Sequence, residues 1–194
     1  MRHLGRKLFH LLGGLGLLSL YFMFGRSAAF SLYGALVVIV LMFEISRLKI
    51  PAWNSFITTR LGSLIRSNEE HKLTGTAPYI LGVGLCLYAY STPIAAAAVC
   101  FLAFGDVAAT TVGERFGKTK IGEKSLEGTA AFVVAALAVG AVFFLLGAAV
   151  PPAVLIVGAL FAAAIELLPI PVNDNFVIPI LSGAIMELAL RWMR

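Results

Sequence analysis

The sequence predicts an all-α integral membrane protein with about seven transmembrane helices and one amphipathic helix at the membrane surface. Of its 194 residues, 60% are apolar and only 13% are charged, whereas a soluble domain carries about 25% charged residues. The mean hydropathy is +0.94. Apolar runs of roughly 18 or more residues, the length that spans a bilayer, recur along the chain. We therefore expect one integral-membrane domain over residues 1–194.

The predicted spans follow one another with short connections. They cover residues 8–24, 27–46, 77–92, 93–112, 128–148, 151–168 and 176–192. Between the second and third spans, Trp53, Phe56 and Ile57 recur at helical spacing, and Arg60 and Arg66 occupy polar positions. This pattern is typical of an amphipathic helix that lies in the plane of the membrane interface.

The basic residues predict the orientation of the spans. Twelve of the fifteen Lys and Arg residues fall on the side of the N-terminus, and three fall on the other side, namely Arg26, Arg191 and Arg194. Because basic loops stay in the cytoplasm, we expect the N-terminus inside, the C-terminus outside and the polar loops on the cytoplasmic face. The short chain favours a prokaryotic cell membrane. The net charge of +5 is explained by these loops and by contact with lipid headgroups, so we expect no nucleic-acid partner.

One long polar stretch, residues 105–128, interrupts the apolar runs. On a helix, Asp106, Thr110 and Gly113 share one face because they stand at i, i+4 and i+7. A carboxylate, a hydroxyl and a bare backbone can form a cavity for a hydrated Mg²⁺ and phosphate oxygens. Asp106 is therefore a candidate metal ligand and catalytic residue. The alternative is a polar residue that only packs against a neighbouring helix.

The middle of this stretch predicts a phosphate-binding loop. Glycines permit tight turns and close backbone approach, and basic side chains supply charge for a polyphosphate. Ser125 can cap the next span, whose N-terminus attracts anions. The candidate phosphate-binding residues are Thr110, Gly113, Arg115, Gly117, Lys118, Lys120, Lys124 and Ser125. The alternative is a basic cytoplasmic loop that only obeys the topology rule.

Acidic and amide side chains flank the later spans. Glu127 is suited to bind a metal or to accept a proton, or it is only a favourable acid in the first turn of a helix. Asn173, Asp174 and Asn175 precede the last span, and Glu166 lies nearby in the sequence. Their oxygen atoms suit Mg²⁺. The alternative is a cluster that caps the helix.

The first two spans carry two further patterns. Arg6 and Lys7 begin the first span, and His10 lies one helical turn after Arg6 on the same face. They are candidates for nucleotide binding, or else a topology anchor with an interfacial histidine. Glu44 and Arg47 are three residues apart, so they either pair with each other or contact a headgroup or nucleotide.

Five motifs in this order resemble the CTP-dependent lipid-alcohol kinases, which include dolichol kinase, phytol and farnesol kinases and the yeast-type diacylglycerol kinase. The motifs are R-K-x-x-H at 6–10, E-x-x-R at 44–47, K-L-T-G-T at 72–76, the stretch 105–128 and P-V-N-D-N at 171–175. The third motif adds Thr76 to the candidate site residues. The stretch 105–128 is also similar, more distantly, to phosphatidate cytidylyltransferases. Their later D-R-x-D-type signature is absent, which favours the kinase.

The resemblance implies that the γ-phosphoryl group of CTP is transferred to the hydroxyl of a membrane lipid, with Mg²⁺ as cofactor. Asp106, Glu127 and Lys124 are the expected catalytic residues, and Asp106 and Asp174, with Asn173, are the expected metal ligands. Either Glu127 or Asp106 takes the hydroxyl proton. The acceptor stays open among polyprenol, dolichol, phytol and diacylglycerol, and a homodimer is one open alternative for the oligomeric state.

Two other functions stay as alternatives. The first is a CDP-lipid synthase of the phosphatidate cytidylyltransferase kind. The second, from another class, is a small-molecule or lipid transporter, for which paired broken spans in two similar halves are expected. No such repeat is visible in the sequence.

Overall fold

The computed structural model describes residues 4–62, 65 and 69–193, which divide into two compact units at Leu81–Gly82. Arg66 and Arg194, which entered the sequence predictions above, lie outside the described residues. The helices are α1 (Leu4–Lys49), α2 (Pro51–Leu61), α3 (Thr76–Ala89), α4 (Thr92–Phe116), α5 (Leu126–Leu145), α6 (Pro152–Leu167) and α7 (Asp174–Trp192), and the strands are β1 (Lys120–Ile121) and β2 (Lys124–Ser125). The described fold is thus mainly α-helical, as predicted.

Helix α1 folds back on itself at Gly25. This glycine has φ +75° and ψ 171°, which is not helical, and its lack of a side chain makes the left-handed φ accessible. Tyr33 donates a hydrogen bond to the carbonyl of Leu17. In a straight helix these residues would be about 24 Å apart. The bond therefore shows that the arms 4–24 and 26–49 lie side by side, in agreement with the first two predicted spans.

Helix α2 begins one residue after α1 ends, with Pro51 at its first position. Ile57 is buried, whereas Trp53 and Phe56 are exposed and their rings stack at 5.6 Å between centroids. The guanidinium of Arg60 lies over the ring of Phe56. An exposed aromatic pair beside an arginine is compatible with the predicted interfacial helix. In the structure this helix ends at Leu61.

Four helices of the described residues are long and apolar enough to cross a membrane, namely α1, α4, α5 and α7. Helices α3 and α6 have 14 and 16 residues, which at 1.5 Å per residue makes them about 21 and 24 Å long. A hydrocarbon core is about 30 Å thick. The seven predicted elements therefore all exist as helical segments, but a count of seven spans and their orientation stay predictions.

In the second unit, helix α4 packs against α5, α6 and α7. Every residue from Ile94 to Ala103 is buried, and half of this stretch is alanine, whose small side chain lets neighbouring helices approach. Helix α4 continues to Phe116, one turn beyond the predicted end at 112. Gly113 is therefore helical, as its predicted face with Asp106 and Thr110 requires, and it lies against the start of the next helix. Asp106 follows this buried stretch in α4 and is itself partly exposed.

A small β-hairpin, which the sequence pattern does not predict, joins α4 to α5. Its strands are antiparallel, with Lys120 opposite Ser125 and Ile121 opposite Lys124. Gly122 has φ +60°, and a glycine with positive φ is what a two-residue hairpin turn needs at its first position. Strands of two residues are too short to show an alternating pattern. The predicted phosphate-binding loop is therefore an ordered hairpin.

Candidate active site

Lys124 lies at the centre of a polar cluster that three elements build. Its Nζ is 2.9 Å from Oε1 of Glu166 and 2.7 Å from Oδ2 of Asp174. Lys124 lies in β2, just before α5. Glu166 is the penultimate residue of α6, and Asp174 is the first residue of α7. Helix ends from distant parts of the sequence thus meet at this lysine.

Glu166 is the most deeply buried member of the cluster, with 2% of its surface exposed. Both of its oxygens are used, since Oε2 accepts a hydrogen bond from the hydroxyl of Thr129 at 3.1 Å. A buried carboxylate is costly unless it is paired and hydrogen-bonded. Lys124 and Thr129 together meet this requirement, so the position of Glu166 depends on α5 and on the hairpin.

The carboxylates stabilise the charged form of Lys124. Burial lowers the pKa of Lys124, but the charges and hydrogen bonds of Glu166 and Asp174 outweigh it, so the pKa lies above the ordinary value of 10.5. Lys124 is therefore an ammonium ion at neutral pH. It has three N–H donors, of which two point to carboxylates, and 28% of its side chain is exposed. One donor remains for an anion from the solvent.

Glu127 holds the start of the hairpin. Its carboxylate accepts hydrogen bonds from the backbone N–H of Lys118 at 3.1 Å and from that of Thr119 at 3.1 and 3.2 Å. It lies in the first turn of α5, where an acid is favourable. In this conformation Glu127 binds backbone amides, which is neither of the two chemical roles predicted for it.

Ser125 caps α5, as the sequence predicts. Its Oγ accepts a hydrogen bond from the N–H of Gly128 at 3.1 Å, and the residue is buried. A Cβ at Gly128 would lie 2.8 Å from the carbonyl oxygen of Ala109, and one at Gly113 would lie 3.1 Å from Oγ of Ser125. These contacts bring the end of α4 against the start of α5. Ser125 and Gly113 therefore belong to the contact between α4 and α5.

Asp106 lies within α4 and is partly exposed. A Cβ at the preceding Gly105 would lie 2.5 Å from the ring of Phe132 in α5, so the glycine lets α5 pack closely here. The Thr110 hydroxyl donates to the backbone carbonyl of Asp106 at 2.8 Å. The Thr110 hydroxyl therefore donates its proton within α4, although its oxygen can still accept a hydrogen bond from a ligand.

The residues before α7 divide between two tasks. The Asn173 side chain caps α7, because its Oδ1 accepts a hydrogen bond from the N–H of Asn175 at 3.0 Å. Asp174 instead turns its carboxylate to Lys124. The capping alternative thus holds for Asn173, while Asp174 belongs to the polar cluster.

The remaining basic residues of the stretch are on the surface. Arg115, at the end of α4, and Lys118 and Lys120, in the hairpin, are exposed. Gly117 ends α4 and donates its N–H to the carbonyl of Gly113 at 3.1 Å. These cations give the end of α4 and the hairpin a positive charge that solvent reaches.

In the first unit, Glu44 and Arg47 pair with each other, as one of the two sequence alternatives predicts. Arg47 Nη2 lies 2.8 Å from Oε2 of Glu44, and Arg47 is completely buried. The guanidinium also donates to the Asn54 side chain and to the carbonyls of Glu69, Glu70 and Lys72, at 2.7 to 3.3 Å. Arg47 therefore has no surface for a headgroup or nucleotide in this structure.

Other predicted residues of the first unit lie near the helix starts. Arg6 and Lys7 are in the first turns of α1, and the His10 ring stacks on Tyr79 at 4.3 Å between centroids. Thr76 begins α3 and its hydroxyl lies 3.1 Å from that of Thr74. Their predicted part in nucleotide binding stays a prediction.

Sequence reasoning missed the partners that hold the charged residues. Thr129 and Asn54 carry no motif, and Lys124 is 42 residues from Glu166, so no local spacing connects them. The one available signal was Glu166 itself, since an acid inside an apolar span marks a candidate functional site.

The two aspartates predicted to bind a metal ion are both among the described residues. Carboxylate oxygens of Asp106 and Asp174 are the ligand type that Mg²⁺ prefers. Within the described ranges, no three His, Cys, Asp or Glu side chains gather closely enough to hold a metal ion. Mg²⁺ is usually bound by one or two carboxylates together with waters and substrate phosphates, not by an all-protein cage. Metal binding by Asp106 and Asp174 therefore stays a prediction.

Comparison with known proteins identifies relatives in three fungi, each named CTP-dependent diacylglycerol kinase 1. The protein from Eremothecium gossypii is 36% identical over 109 residues, which are 54% of this chain and 34% of the relative. The protein from Saccharomyces cerevisiae is 30% identical over 136 residues, 66% of this chain and 46% of the relative. The protein from Schizosaccharomyces pombe is 27% identical over 160 residues, 75% of this chain and 73% of the relative.

No protein-family model matches the chain, and no solved structure matches it. The chain spans less than half the length of the first two relatives. The relatives nevertheless agree with the family that the five sequence motifs indicate, and the apolar helices agree with a membrane protein. This chain is therefore a relative, at modest identity, of the CTP-dependent lipid kinases.

Proposed function

We propose that this chain is an integral-membrane lipid kinase that transfers the γ-phosphoryl group of CTP to the hydroxyl of a membrane lipid, with diacylglycerol as the first candidate acceptor. The single observation that supports this best is the position of the Lys124 cluster. The hairpin strand just before α5 and the ends of α6 and α7 bring Lys124, Glu166 and Asp174 together. Such a place suits a reaction between a water-soluble nucleotide and a lipid whose tail stays in hydrocarbon.

The basic residues bind and orient the polyphosphate in this proposal. Exposed Arg115, Lys118 and Lys120 raise the local concentration of an anionic nucleotide by electrostatic attraction. Lys124 uses its third N–H donor for a phosphate oxygen, while Glu166 and Asp174 fix the direction of the ammonium. Phosphoryl transfer depends mainly on positioning and on charge stabilisation, and these residues supply both.

We assign Asp106 and Asp174 as the residues that hold Mg²⁺. When bound, the ion offsets the charge that develops on the phosphate oxygens. Asp174 contacts Lys124, so the same carboxylate can orient the lysine and approach the nucleotide. Asn173, the third predicted ligand, keeps its side-chain oxygen in the cap of α7. The hydroxyl proton passes to a carboxylate, Asp106 or Glu127, and a weak base suffices for a loose transition state.

The acceptor follows from the names of the relatives, which specify diacylglycerol. Dolichol, phytol and other isoprenoid alcohols stay in the proposal as a wider class, because each has a hydroxyl at the end of an apolar body. We propose further that the site faces the cytoplasm, where CTP is available. The charge bias of the loops supports this orientation.

A panel of acceptors tests the proposal. Purified full-length protein in lipid nanodiscs is incubated with Mg²⁺, CTP carrying ³²P at the γ-phosphorus, and diacylglycerol, dolichol, phytol or farnesol in turn. Label is expected in the lipid fraction with diacylglycerol, and ATP at the same concentration should replace CTP poorly. If no lipid in the panel becomes labelled, the proposal is wrong.

A further inference from the structure

Two adjacent backbone amides at the start of the hairpin point at one carboxylate. The N–H groups of Lys118 and Thr119 donate to Glu127 at 3.1 to 3.2 Å, and Thr119 reaches both of its oxygens. Successive backbone N–H groups that converge on one point form an anion-binding concavity. In this structure the anion is a side chain of the protein itself.

The surroundings favour an external anion at the same place. Lys118 and Thr119 are exposed, so their amides lie where a solvent-borne ligand can reach them. The side chains of Lys118 and Lys120 add two exposed cations on the same hairpin. Phosphate oxygens and carboxylate oxygens accept the same charge-assisted hydrogen bonds from N–H donors. The Glu127 carboxylate therefore occupies donors that a phosphate would use.

We propose that the amides of Lys118 and Thr119 are a subsite for the polyphosphate of the nucleotide, and that Glu127 occupies this subsite until the nucleotide displaces it. The inference rests on the proposed function, because it takes the ligand to be a nucleoside triphosphate. It assigns Glu127 a role as an internal competitor in the resting state. Once displaced, the carboxylate is available near the phosphates.

Competition of this kind has a measurable consequence. A ligand that binds only when its subsite is open has an apparent Kd equal to the intrinsic Kd divided by the open fraction. If Glu127 closes the subsite most of the time, its removal tightens triphosphate binding by about 3- to 10-fold on this relation. A carboxylate that only ties the hairpin together predicts the reverse, since loosening the hairpin weakens binding.

The test uses Glu127→Gln and Glu127→Ala in the full chain, with Glu123→Gln as the matched control. Glu123 is an exposed carboxylate in the turn of the same hairpin, so its substitution changes the net charge equally. The dissociation constants of CTP and of inorganic tripolyphosphate are measured by calorimetry in nanodiscs. Both Glu127 variants are expected to bind more tightly than wild type, and Glu123→Gln by less than twofold. Unchanged or weaker binding by both Glu127 variants overturns the inference, as does equal tightening by the control.

A second measurement uses the wild-type protein and does not depend on how the variants fold. Carboxylates are labelled with a carbodiimide and an amine, and the modified residues are counted by mass spectrometry with and without tripolyphosphate. Labelling of Glu127 should rise when the ligand is present, while that of Glu123 stays constant. Unchanged or reduced labelling of Glu127 overturns the inference. If neither wild type nor variants bind any triphosphate, the proposed function fails as well. If they bind it, but the Glu127 variants bind no more tightly and the labelling of Glu127 does not rise, the inference alone is rejected.

Discussion

Lys124 is the residue on which the candidate site depends most, because it neutralises a carboxylate that is almost completely buried. Glu166 and Asp174 reach it from α6 and α7. The lysine therefore has a structural task and a proposed binding task. These tasks can be separated, since the first affects the free energy of unfolding and the second affects the nucleotide requirement.

Lys124→Ala is expected to raise the KM for CTP by about 10-fold or more, which is the effect of losing a hydrogen bond to a charged group. It also leaves Glu166 without its cation. Removal of one partner of a buried ion pair costs about 3–5 kcal/mol, and the partial exposure of Lys124 puts the loss at the lower end. Steady-state kinetics and thermal unfolding give the two readouts.

Lys120→Ala serves as the comparison for this variant, since it removes the same charge from an exposed side chain of the same hairpin. We expect a smaller rise in KM and little change in thermal stability. An unchanged KM in Lys124→Ala would remove Lys124 from the phosphate site.

Asp106→Asn tests the assigned metal ligand. The variant keeps the shape of the side chain and removes its charge, so we expect the protein to fold while turnover falls by about 100-fold or more, as when one group that stabilises transition-state charge is lost. Glu114→Gln, on an exposed position of the same helix, is the control and should keep its activity. Near-normal turnover in Asp106→Asn would rule out the assignment.

At the scale of the elements, α4 and α5 must approach closely for the hairpin to lie beside the cluster. Gly128→Ala should therefore destabilise the protein by about 1–3 kcal/mol, the usual cost of overpacking, because its Cβ would lie 2.8 Å from the Ala109 carbonyl. Activity should fall with it. Gly16→Ala in α1 is the control, since a Cβ there meets nothing within 4 Å. Equal thermal stability of the two variants would contradict the close contact.

Arg47 stabilises the segment 69–74, which leads into α3, through hydrogen bonds to its backbone. It donates to three backbone carbonyls of that segment as well as to Glu44 and Asn54. Lysine has no planar fork and cannot reproduce these bonds, so Arg47→Lys should cost about 3 kcal/mol or more. Limited proteolysis should then cut residues 69–74 faster. The exposed Arg60→Lys in α2 should have no such effect, and equal cutting in both variants would be evidence against this role.

The elements show which features the sequence can predict. The apolar runs predict two successive spans where α1 has its two arms, and Ser125 predicts the start of α5, because both signals are local. The hairpin was missed because its strands have two residues each. The predicted fourth span ends at 112 because the apolar run ends there, whereas α4 continues through Gly113, which is a point of helix contact.

For the molecule as a whole, the sequence indicates the family and offers the local Glu44–Arg47 pair, but it does not indicate which polar residues of distant elements pair. The pairing of Lys124 with Glu166 joins β2 to α6, and that of Arg47 joins α1 to the residues before α3. Such contacts depend on the tertiary fold, and motif spacing contains no information about them. The relatives support the same family through similarity over 54 to 75% of the chain.

The position of the transferred phosphorus tests the central claim most directly. Two parallel reactions contain the purified protein, Mg²⁺, diacylglycerol and phosphatidate, with CTP labelled at the α-phosphorus in one and at the γ-phosphorus in the other. A kinase predicts γ-label in the lipid and α-label in CDP. The appearance of α-label in the lipid, with release of labelled pyrophosphate from the γ-labelled CTP, would contradict the proposed function and show a cytidylyltransferase instead.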